Sequence, residues 1–187
     1  MNPDKNYVPS KLLWLDLEMT GLDAEKDVIL EVAVEVTDLD FKTLDTYEAI
    51  VNQPQAKVVD RMNKNPFWAE FSENRDEFLK KISTAKTSKE VEKDLCALVE
   101  KHFGSDPAIL SGNSIHNDRL FISKYWPEFN LKLHYRMLDV SSFKLIMQSK
   151  YSLFFDKKPA HRAFDDIQAS IAELQYYLEN FKDEHDS

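Results

Sequence analysis

The feature that most constrains the fold is an apolar run that ends in two acidic residues. Residues 12–15 are Leu-Leu-Trp-Leu, and Asp16-Leu17-Glu18 follows without a break. A run of this kind is typical of a strand that is covered on both faces. Because side chains alternate along a strand, Asp16 and Glu18 project to the same side, roughly 7 Å apart along the chain. The sequence therefore predicts a buried strand that carries two carboxylates on one face.

Two interpretations of this acidic pair are open. An isolated Asp-x-Glu is most often a strand end that faces water. Here the acids adjoin four large apolar residues, and ionised carboxylates beside a core are costly unless a metal or another partner compensates them. Gly21 also lets the backbone turn where a ligand could approach. The context favours a cation site at Asp16 and Glu18.

Composition limits the domain count and the kind of partner. With 187 residues, 43% of them hydrophobic, the chain can bury one substantial core. We predict an N-terminal arm over residues 1–10, a single domain over residues 11–181 and an acidic tail over residues 182–187. The net charge of -9 argues against a broad basic surface for long nucleic acid. A short nucleic-acid ligand held by metals stays open.

The sequence also predicts a reducing, cytoplasmic setting. Cys96 is the one cysteine, so an intramolecular disulfide is excluded. Residues 1–10 lack the apolar region of a signal peptide, and no apolar run approaches the length that spans a membrane. Cytoplasmic proteins rarely carry disulfides, which agrees with this cysteine usage.

The pattern of elements changes along the chain from a meander to alternation. Residues 28–38 and 46–52 read as strands that follow the first after short connections, which favours antiparallel pairing. Residues 56–85 read as two helical pieces, and a Thr87-x-x-Glu90 capping box opens the next helix. Strands then alternate with helices: strands at residues 108–111 and 136–140, helices at residues 117–125, 141–149 and 163–181. This order predicts an α/β fold with a mixed sheet and helices on its faces.

A second group of polar residues lies where the fourth predicted strand gives way to a helix. Residues 111–118 read Ser-Gly-Asn-Ser-Ile-His-Asn-Asp, and the carboxyl end of such a strand is the usual place for ligand groups in an α/β sheet. Asp118 alone is more often a partner of the helix dipole. Asn113 and Ser114 are either turn residues or groups that suit a phosphate.

A third group opens the last predicted helix. His161 precedes it, and Asp165 and Asp166 lie in its first turn. The apolar stripe of this helix places Asp165 nearly opposite the core, in water, and Asp166 on the flank, where it can face a cleft between helix and sheet. A histidine beside converging acids is a candidate general base. We therefore predict roles for His161 and Asp166 and none for Asp165.

Together these residues resemble the DEDDh exonuclease superfamily, and four blocks resemble the oligoribonucleases within it. The blocks are residues 16–23, 112–115, 134–141 and 161–166, in order along most of the chain. The resemblance implies an α/β, ribonuclease H-like mixed five-stranded sheet with helices on both faces. It also implies two divalent cations, Mg²⁺ or Mn²⁺, and 3′-to-5′ release of 5′-mononucleotides from short single-stranded RNA.

Roles for individual residues follow from the same resemblance. The metal ligands would be Asp16, Glu18, Asp118 and Asp166, and His161 would take the proton of the attacking water. The substrate would be held by Leu22, which wedges between bases, by a 5′-phosphate pocket of Ser114, Arg136 and Ser141, and by Tyr135 from the partner in a homodimer. Structural alternatives for the wedge and the pocket are a core leucine, a turn serine, a surface arginine and a helix N-cap, respectively.

One segment departs from the family pattern. Oligoribonucleases usually carry a tryptophan and then a histidine after the third strand, where they help hold a base. Here that region contains Phe67 and Trp68, and no histidine precedes His102. Either ring could stack on a base or belong to the helix core. Two other functions therefore stay open: a DEDDh exonuclease for single-stranded DNA or structured RNA 3′ ends, and a non-catalytic nucleic-acid-binding module.

Overall fold

A five-stranded mixed sheet forms the centre of the molecule. The computed structural model describes residues 7–156 and 162–182. Its strands are β1 (Lys11–Met19), β2 (Ile29–Asp38), β3 (Thr43–Ile50), β4 (Ala108–Gly112) and β5 (Leu133–Asp139). The order across the sheet is β3-β2-β1-β4-β5. The first three strands pair antiparallel, and β4 and β5 continue the sheet in parallel. The predicted mixed five-stranded sheet is confirmed.

Helices occupy the connections between β3 and β4 and after each later strand. They are α1 (Gln55–Asn63), α2 (Phe67–Glu70), α3 (Ser72–Lys81), α4 (Ser88–Phe103), α5 (His116–Tyr125), α6 (Pro127–Leu131), α7 (Val140–Tyr151) and α8 (Ala163–Lys182), with a 3₁₀ turn at Ile82–Thr84. The capping box of α4 forms as predicted, because Thr87 and Glu90 each accept the other's backbone N–H. No helix within the described ranges is long and apolar enough to cross a lipid bilayer.

Several predicted elements differ from those of the structure. The two helical pieces expected over residues 56–85 are three short helices and a 3₁₀ turn, because Phe71 leaves the helical conformation at φ −101° and ψ 53°. The helix α6 was not predicted; it is only five residues long and starts at Pro127, so it shows no helical periodicity. Strand β5 begins at Leu133, before the predicted residue 136.

Strand alternation divides the main core into two layers. Leu13, Leu15 and Leu17 of β1 pack with side chains of α4, α5 and α6. Leu12 and Trp14 point to the other face of the sheet and pack against α8. Helices thus cover both faces, as predicted.

The same alternation determines where the acids of β1 lie. Asp16 and Glu18 continue the series of Trp14 and therefore face α8, which carries Asp166 in its first turn. The burial of Ala163, Ile167, Ile171 and Leu174 confirms the predicted apolar stripe of α8. The packing of α8 on β1 thus brings the acidic residues of both elements together.

A smaller core attaches α1, α2 and α3 to the start of β2. Within it Trp68 is 1% exposed, and its Nε1 donates to the carbonyl oxygen of Thr20 at 3.1 Å. The amide of Asn65 donates to the same oxygen at 3.1 Å. These bonds join the helices to the loop that follows β1.

Candidate active site

Three of the four predicted metal ligands form a cluster at the end of β1. Carboxylate oxygens of Asp16, Glu18 and Asp166 all lie within 4.8 Å of one another; these three residues are here called the acidic cluster. Strand β1 supplies two of them and the first turn of α8 supplies the third. Carboxylate oxygens at this spacing suit hard divalent cations such as Mg²⁺ and Mn²⁺.

Helix α5 packs on the face of the sheet opposite to α8. Its residue Asp118 reaches the end of β1. It is only 5% exposed, and its Oδ1 accepts a hydrogen bond from the backbone N–H of Leu17 at 3.0 Å. Strand β4 pairs with β1 at Leu13 and Trp14. The Leu17 amide lies beyond these paired residues, and Asp118 is its hydrogen-bond acceptor. Asp118 is therefore fixed beside the acidic cluster, although the three-residue group within 4.8 Å does not include it.

Burial and mutual repulsion oppose the ionisation of these acids. Burial raises the pKa of Glu18 to about 8, and the charges of Asp16 and Asp166 add to the effect. Burial also raises the pKa of Asp118, again with a contribution from Asp16. Without a cation, the folded chain therefore retains protons here at neutral pH. The donor set and its unfavourable charge both fit a site for positive metal ions.

The predicted difference between the two adjacent acids of α8 is confirmed. Asp165 is exposed to solvent, whereas Asp166 is half-buried and belongs to the acidic cluster. Their neighbours Ala163 and Ile167 are buried. The predicted general base, His161, lies outside the described residues, so its role stays a prediction.

A cleft of about 660 Å³ opens over the acidic cluster. Leu22 and Phe67 line it together with the acids. Leu22 is 70% exposed, which excludes the alternative of a core leucine. The cleft thus combines carboxylates with two apolar side chains that bases can contact.

The structure distinguishes the two aromatic residues of the altered segment. The Trp68 ring is buried, and its Nε1–H donates to the carbonyl oxygen of Thr20. Trp68 therefore belongs to the core. The neighbouring Phe67 is only partly buried and lines the cleft. Of the two candidates for a stacking surface, only Phe67 has the required position.

The two predicted phosphate-binding serines lie together. The Oγ atoms of Ser114 and Ser141 are 3.0 Å apart, and the Ser114 N–H donates to Ser141 Oγ at 2.8 Å. Asp139 is the N-cap of α7 and accepts from the backbone N–H of both serines at 2.9 Å. The helix cap is therefore Asp139, and the structural alternative of Ser141 as the cap is excluded.

Arg136 and Tyr135 extend from β5 into solvent. Tyr135 is 59% exposed, and the Arg136 guanidinium carbon lies 5.2 Å from the centre of its ring. The structure shows the predicted serine pair, but Arg136 packs over Tyr135 and makes no hydrogen bond to either serine among the described contacts. Arg136 is thus a surface arginine in this conformation.

A charged contact beside the acidic cluster was missed at the sequence level. Buried Glu31 of β2 lies opposite Glu18 in the strand register and accepts from Arg162 Nη2 at 2.8 Å and Nε at 3.3 Å. Arg162 also donates to Glu77 Oε2 at 3.0 Å. The contact ties the chain just before α8 to β2 and α3. Its signal in the sequence was a glutamate inside the apolar run of β2.

The loop that presents Leu22 has its own polar network. Buried Asp27 accepts from Thr20 Oγ1 at 2.9 Å and from Arg61 Nε at 2.8 Å. A Cβ at Gly21 would lie 2.6 Å from Asp27 Oδ2, so this turn requires glycine. The prediction identified the glycine but not Asp27, whose partners come from other parts of the chain.

Comparisons with known proteins agree with this site. The RNase_T family model, described as an exonuclease, matches residues 13–174. The chain is 40% identical over 177 residues to the oligoribonuclease of Tropheryma whipplei, covering 92% of this chain and 94% of that one. It is 37% identical to a probable oligoribonuclease of Caenorhabditis elegans, covering 92% and 90%, and 36% identical to the mitochondrial oligoribonuclease of Homo sapiens, covering 91% and 73%.

Solved structures of low sequence identity share the fold. An exonuclease I from Methylocaldum szegediense superimposes with a TM-score of 0.64 at 13% identity, over 92% of this chain and 41% of that one. An E. coli exonuclease I in complex with a 5cy-dT13 oligonucleotide gives 0.63 at 12% identity, over 94% and 41%. The chain thus spans well under half the length of these structures. They confirm the predicted ribonuclease H-like fold.

The family model covers most of the chain, and the curated relatives match it over nearly its whole length. The acidic cluster and Asp118 lie within the matched residues. This protein therefore belongs to the oligoribonuclease family and is an exonuclease, that is, a nuclease of the hydrolase class.

Proposed function

We propose that the protein removes 5′-mononucleotides from the 3′ end of short oligoribonucleotides by two-metal-ion hydrolysis. The observation that carries this proposal is the acidic cluster inside a cleft with apolar walls, in a chain of the oligoribonuclease family. Its proposed setting is the reducing cytoplasm.

Four carboxylates would hold the two ions, Mg²⁺ or Mn²⁺: Asp16, Glu18, Asp118 and Asp166. Ions held there would supply Lewis-acid chemistry, which would lower the pKa of a water and stabilise negative charge on the 3′ oxygen. His161, just before α8, would accept the proton of the attacking water. Asp118 is held by the Leu17 amide, so its carboxylate direction is set before any ligand binds.

Two apolar side chains would position the terminal bases. Leu22 stands exposed at the cleft, on a loop that Asp27 and Arg61 hold. Phe67 lines the same cleft and would supply a stacking surface equivalent to the tryptophan that oligoribonucleases usually carry. Stacking on an aromatic ring tolerates every base, so this arrangement supports cleavage with little sequence preference.

Charge limits the length of a suitable substrate. The chain has 33 acidic against 24 basic residues, which leaves little positive charge to line a long groove for phosphates. A short substrate needs only the metals at one end and a small pocket at the other. We assign that pocket to Ser114, Ser141 and the exposed Arg136, which could turn from the Tyr135 ring toward a phosphate.

A homodimer is part of the proposal. Strand β5 is an edge of the sheet, and unpaired edges favour association with another chain. Large apolar side chains are exposed on β5 and on the neighbouring α6 and α7: Leu131, Tyr135, Met137, Leu145 and Ile146. This surface would pack on a second copy and direct Tyr135 into the partner's cleft.

The first prediction concerns the acids. Asp16→Asn, Asp118→Asn and Asp166→Asn should each lower the rate of dinucleotide hydrolysis with Mg²⁺ or Mn²⁺ by at least about a hundredfold, because several kcal/mol of metal-dependent stabilisation is lost. His161→Ala should retain Mn²⁺ binding by calorimetry while turnover falls on the order of 10²-fold to 10⁴-fold. Asp165→Asn is the matched control and should keep wild-type turnover. Equal damage from Asp165→Asn and Asp166→Asn would contradict the assignment.

The second prediction concerns pH. The folded-state pKa of Glu18, about 8, lies above the 4.5 that is usual for a glutamate in water, so the folded chain binds a proton more tightly than the unfolded chain. The stability of the metal-free protein should therefore fall as pH rises from about 4.5 to 8. Glu18→Gln should raise the free energy of unfolding in EDTA at pH 8 more than at pH 5, measured by urea denaturation. The same increment at both pH values would show that Glu18 is not the group responsible.

The third prediction tests the substrate class. A product time course on 5′-labelled RNAs from two to about twenty nucleotides should show the highest kcat/KM for the shortest RNAs, with mononucleotides released from the 3′ end. DNA oligonucleotides of the same sequences serve as the matched series. Equal rates on a dinucleotide and a 20-mer would refute the short-substrate proposal, and faster cleavage of DNA would favour the alternative substrate.

The fourth prediction tests the shared site. An equimolar mixture of Asp118→Asn and Tyr135→Ala chains should recover about a quarter of wild-type activity, because half of the dimers would be mixed and each would contain one complete site. A mixture of Asp118→Asn with Asp16→Asn chains is the control and should recover none. Subunit exchange is verified with differently tagged chains. Failure to recover despite exchange, or a fully active monomer, would exclude a contribution of Tyr135 to the partner.

A further inference from the structure

A buried carboxylate that the proposed reaction does not use lies behind the serine pair. Glu173 of α8 is 0% exposed. Its Oε2 accepts from Asn113 Nδ2 at 3.1 Å and its Oε1 from Tyr177 Oη at 2.9 Å, while Lys144 Nζ lies 3.6 Å from Oε1. A buried acid with three donors around it is a strong, fixed acceptor.

Glu173 fixes the direction of the Asn113 side-chain amide. The amide nitrogen of Asn113 donates to Glu173 and also to Ser170 Oγ at 3.0 Å. Ser170 gives its own proton to the carbonyl oxygen of Asp166 at 2.8 Å, so both groups can only accept from Asn113. The nitrogen must therefore face α8, and Oδ1 of Asn113 must face Ser141.

This direction makes the two serine hydroxyls inequivalent. Ser141 donates its only proton to Asn113 Oδ1 at 3.1 Å. Its oxygen accepts from the Ser114 N–H at 2.8 Å, and in the Oγ to Oγ contact of 3.0 Å it can likewise only accept. The hydroxyl proton of Ser114 is thus the one that can turn to an anion without breaking the bond to Asn113.

The backbone of Ser114 provides an independent indication. Its φ is +50°, a conformation that non-glycine residues adopt rarely and that concentrates at functional sites. Asp139 and Ser141 both accept its N–H and hold it in this conformation. The fold therefore fixes the backbone of Ser114, and Ser141 contributes to this by accepting the Ser114 N–H.

We propose that Glu173, through Asn113, makes Ser114 the hydroxyl donor to the substrate's 5′ phosphate and makes Ser141 an acceptor that supports Ser114. Glu173 and Asn113 are positioning residues in this inference. The inference rests on the proposed function, because it concerns the 5′ end of the same short substrate. It goes beyond that function by separating two serines that otherwise have the same role.

The experiment measures a preference ratio, which is kcat/KM for a dinucleotide with a 5′ phosphate divided by kcat/KM for the same dinucleotide with a 5′ hydroxyl. Hydrolysis is common to both substrates, so a general structural defect cancels in the ratio. Ser114→Ala should lower the ratio about tenfold, as expected for one hydrogen bond to a charged group. Ser141→Ala should lower it less, because Asp139 still holds the Ser114 amide.

Glu173→Gln tests the positioning step. A glutamine can donate to Asn113, which lets the Asn113 amide reverse and releases the Ser141 proton. In this background the effects of Ser114→Ala and Ser141→Ala on the ratio should become similar or exchange rank. Asn113→Ala removes the acceptor of the Ser141 proton and should give the same result, which keeps the test available if Glu173→Gln does not fold.

Glu35→Gln is the matched control. Glu35 is also a buried acid, but its described hydrogen bonds are to Thr43 and Gln168 and not to Asn113 or either serine, so its replacement should leave the ranking as in the wild type. The inference is overturned if the two serine variants lower the wild-type ratio equally, or if Glu173→Gln and Asn113→Ala both leave the ranking unchanged. A wild-type protein that cleaves dinucleotides without preferring a 5′ phosphate overturns it together with the proposed pocket. A wild-type protein that does not cleave them overturns the proposed function itself.

Discussion

Desolvated carboxylates at the end of β1 are the constraint on which the rest of the structure depends. Asp16 and Glu18 extend an apolar strand, and α8 brings Asp166 against them. Burial raises the pKa of Glu18 to about 8, so the metal-free fold holds these groups at an energetic cost. The burial of apolar side chains on both faces of β1 offsets this unfavourable free energy. The same unfavourable charge becomes favourable once divalent cations bind.

Ion pairs near the acidic cluster hold the elements that carry or border it. Arg162 binds Glu31 and Glu77 and so ties the entry of α8 to β2 and α3. On the other side of the cleft, Asp27 and Arg61 hold the loop that presents Leu22. Among the described hydrogen bonds, both arginines donate to acids outside the acidic cluster.

Helix α8 connects the two ends of the proposed substrate site. Asp166 lies in its first turn and Glu173 seven residues later, roughly 10.5 Å along the helix axis. The first contributes to the acidic cluster, and the second sets the hydrogen bonds behind Ser114 and Ser141. In the proposed function, one helix would therefore relate the position of the scissile phosphate to that of the 5′ end. This geometry agrees with an enzyme for short substrates.

Local periodicity in the sequence was sufficient to determine the strand that carries Asp16 and Glu18, the meander, and the contrast between Asp165 and Asp166, because each depends on which face of one element a side chain occupies. Only the tertiary structure distinguished Phe67 in the cleft from Trp68 in the core, and only it joined Glu31 to Arg162 and Asn113 to Glu173. The partners in these two pairs are 131 and 60 residues apart. Hydrogen bonds across such separations depend on how whole elements pack, and no local pattern encodes them.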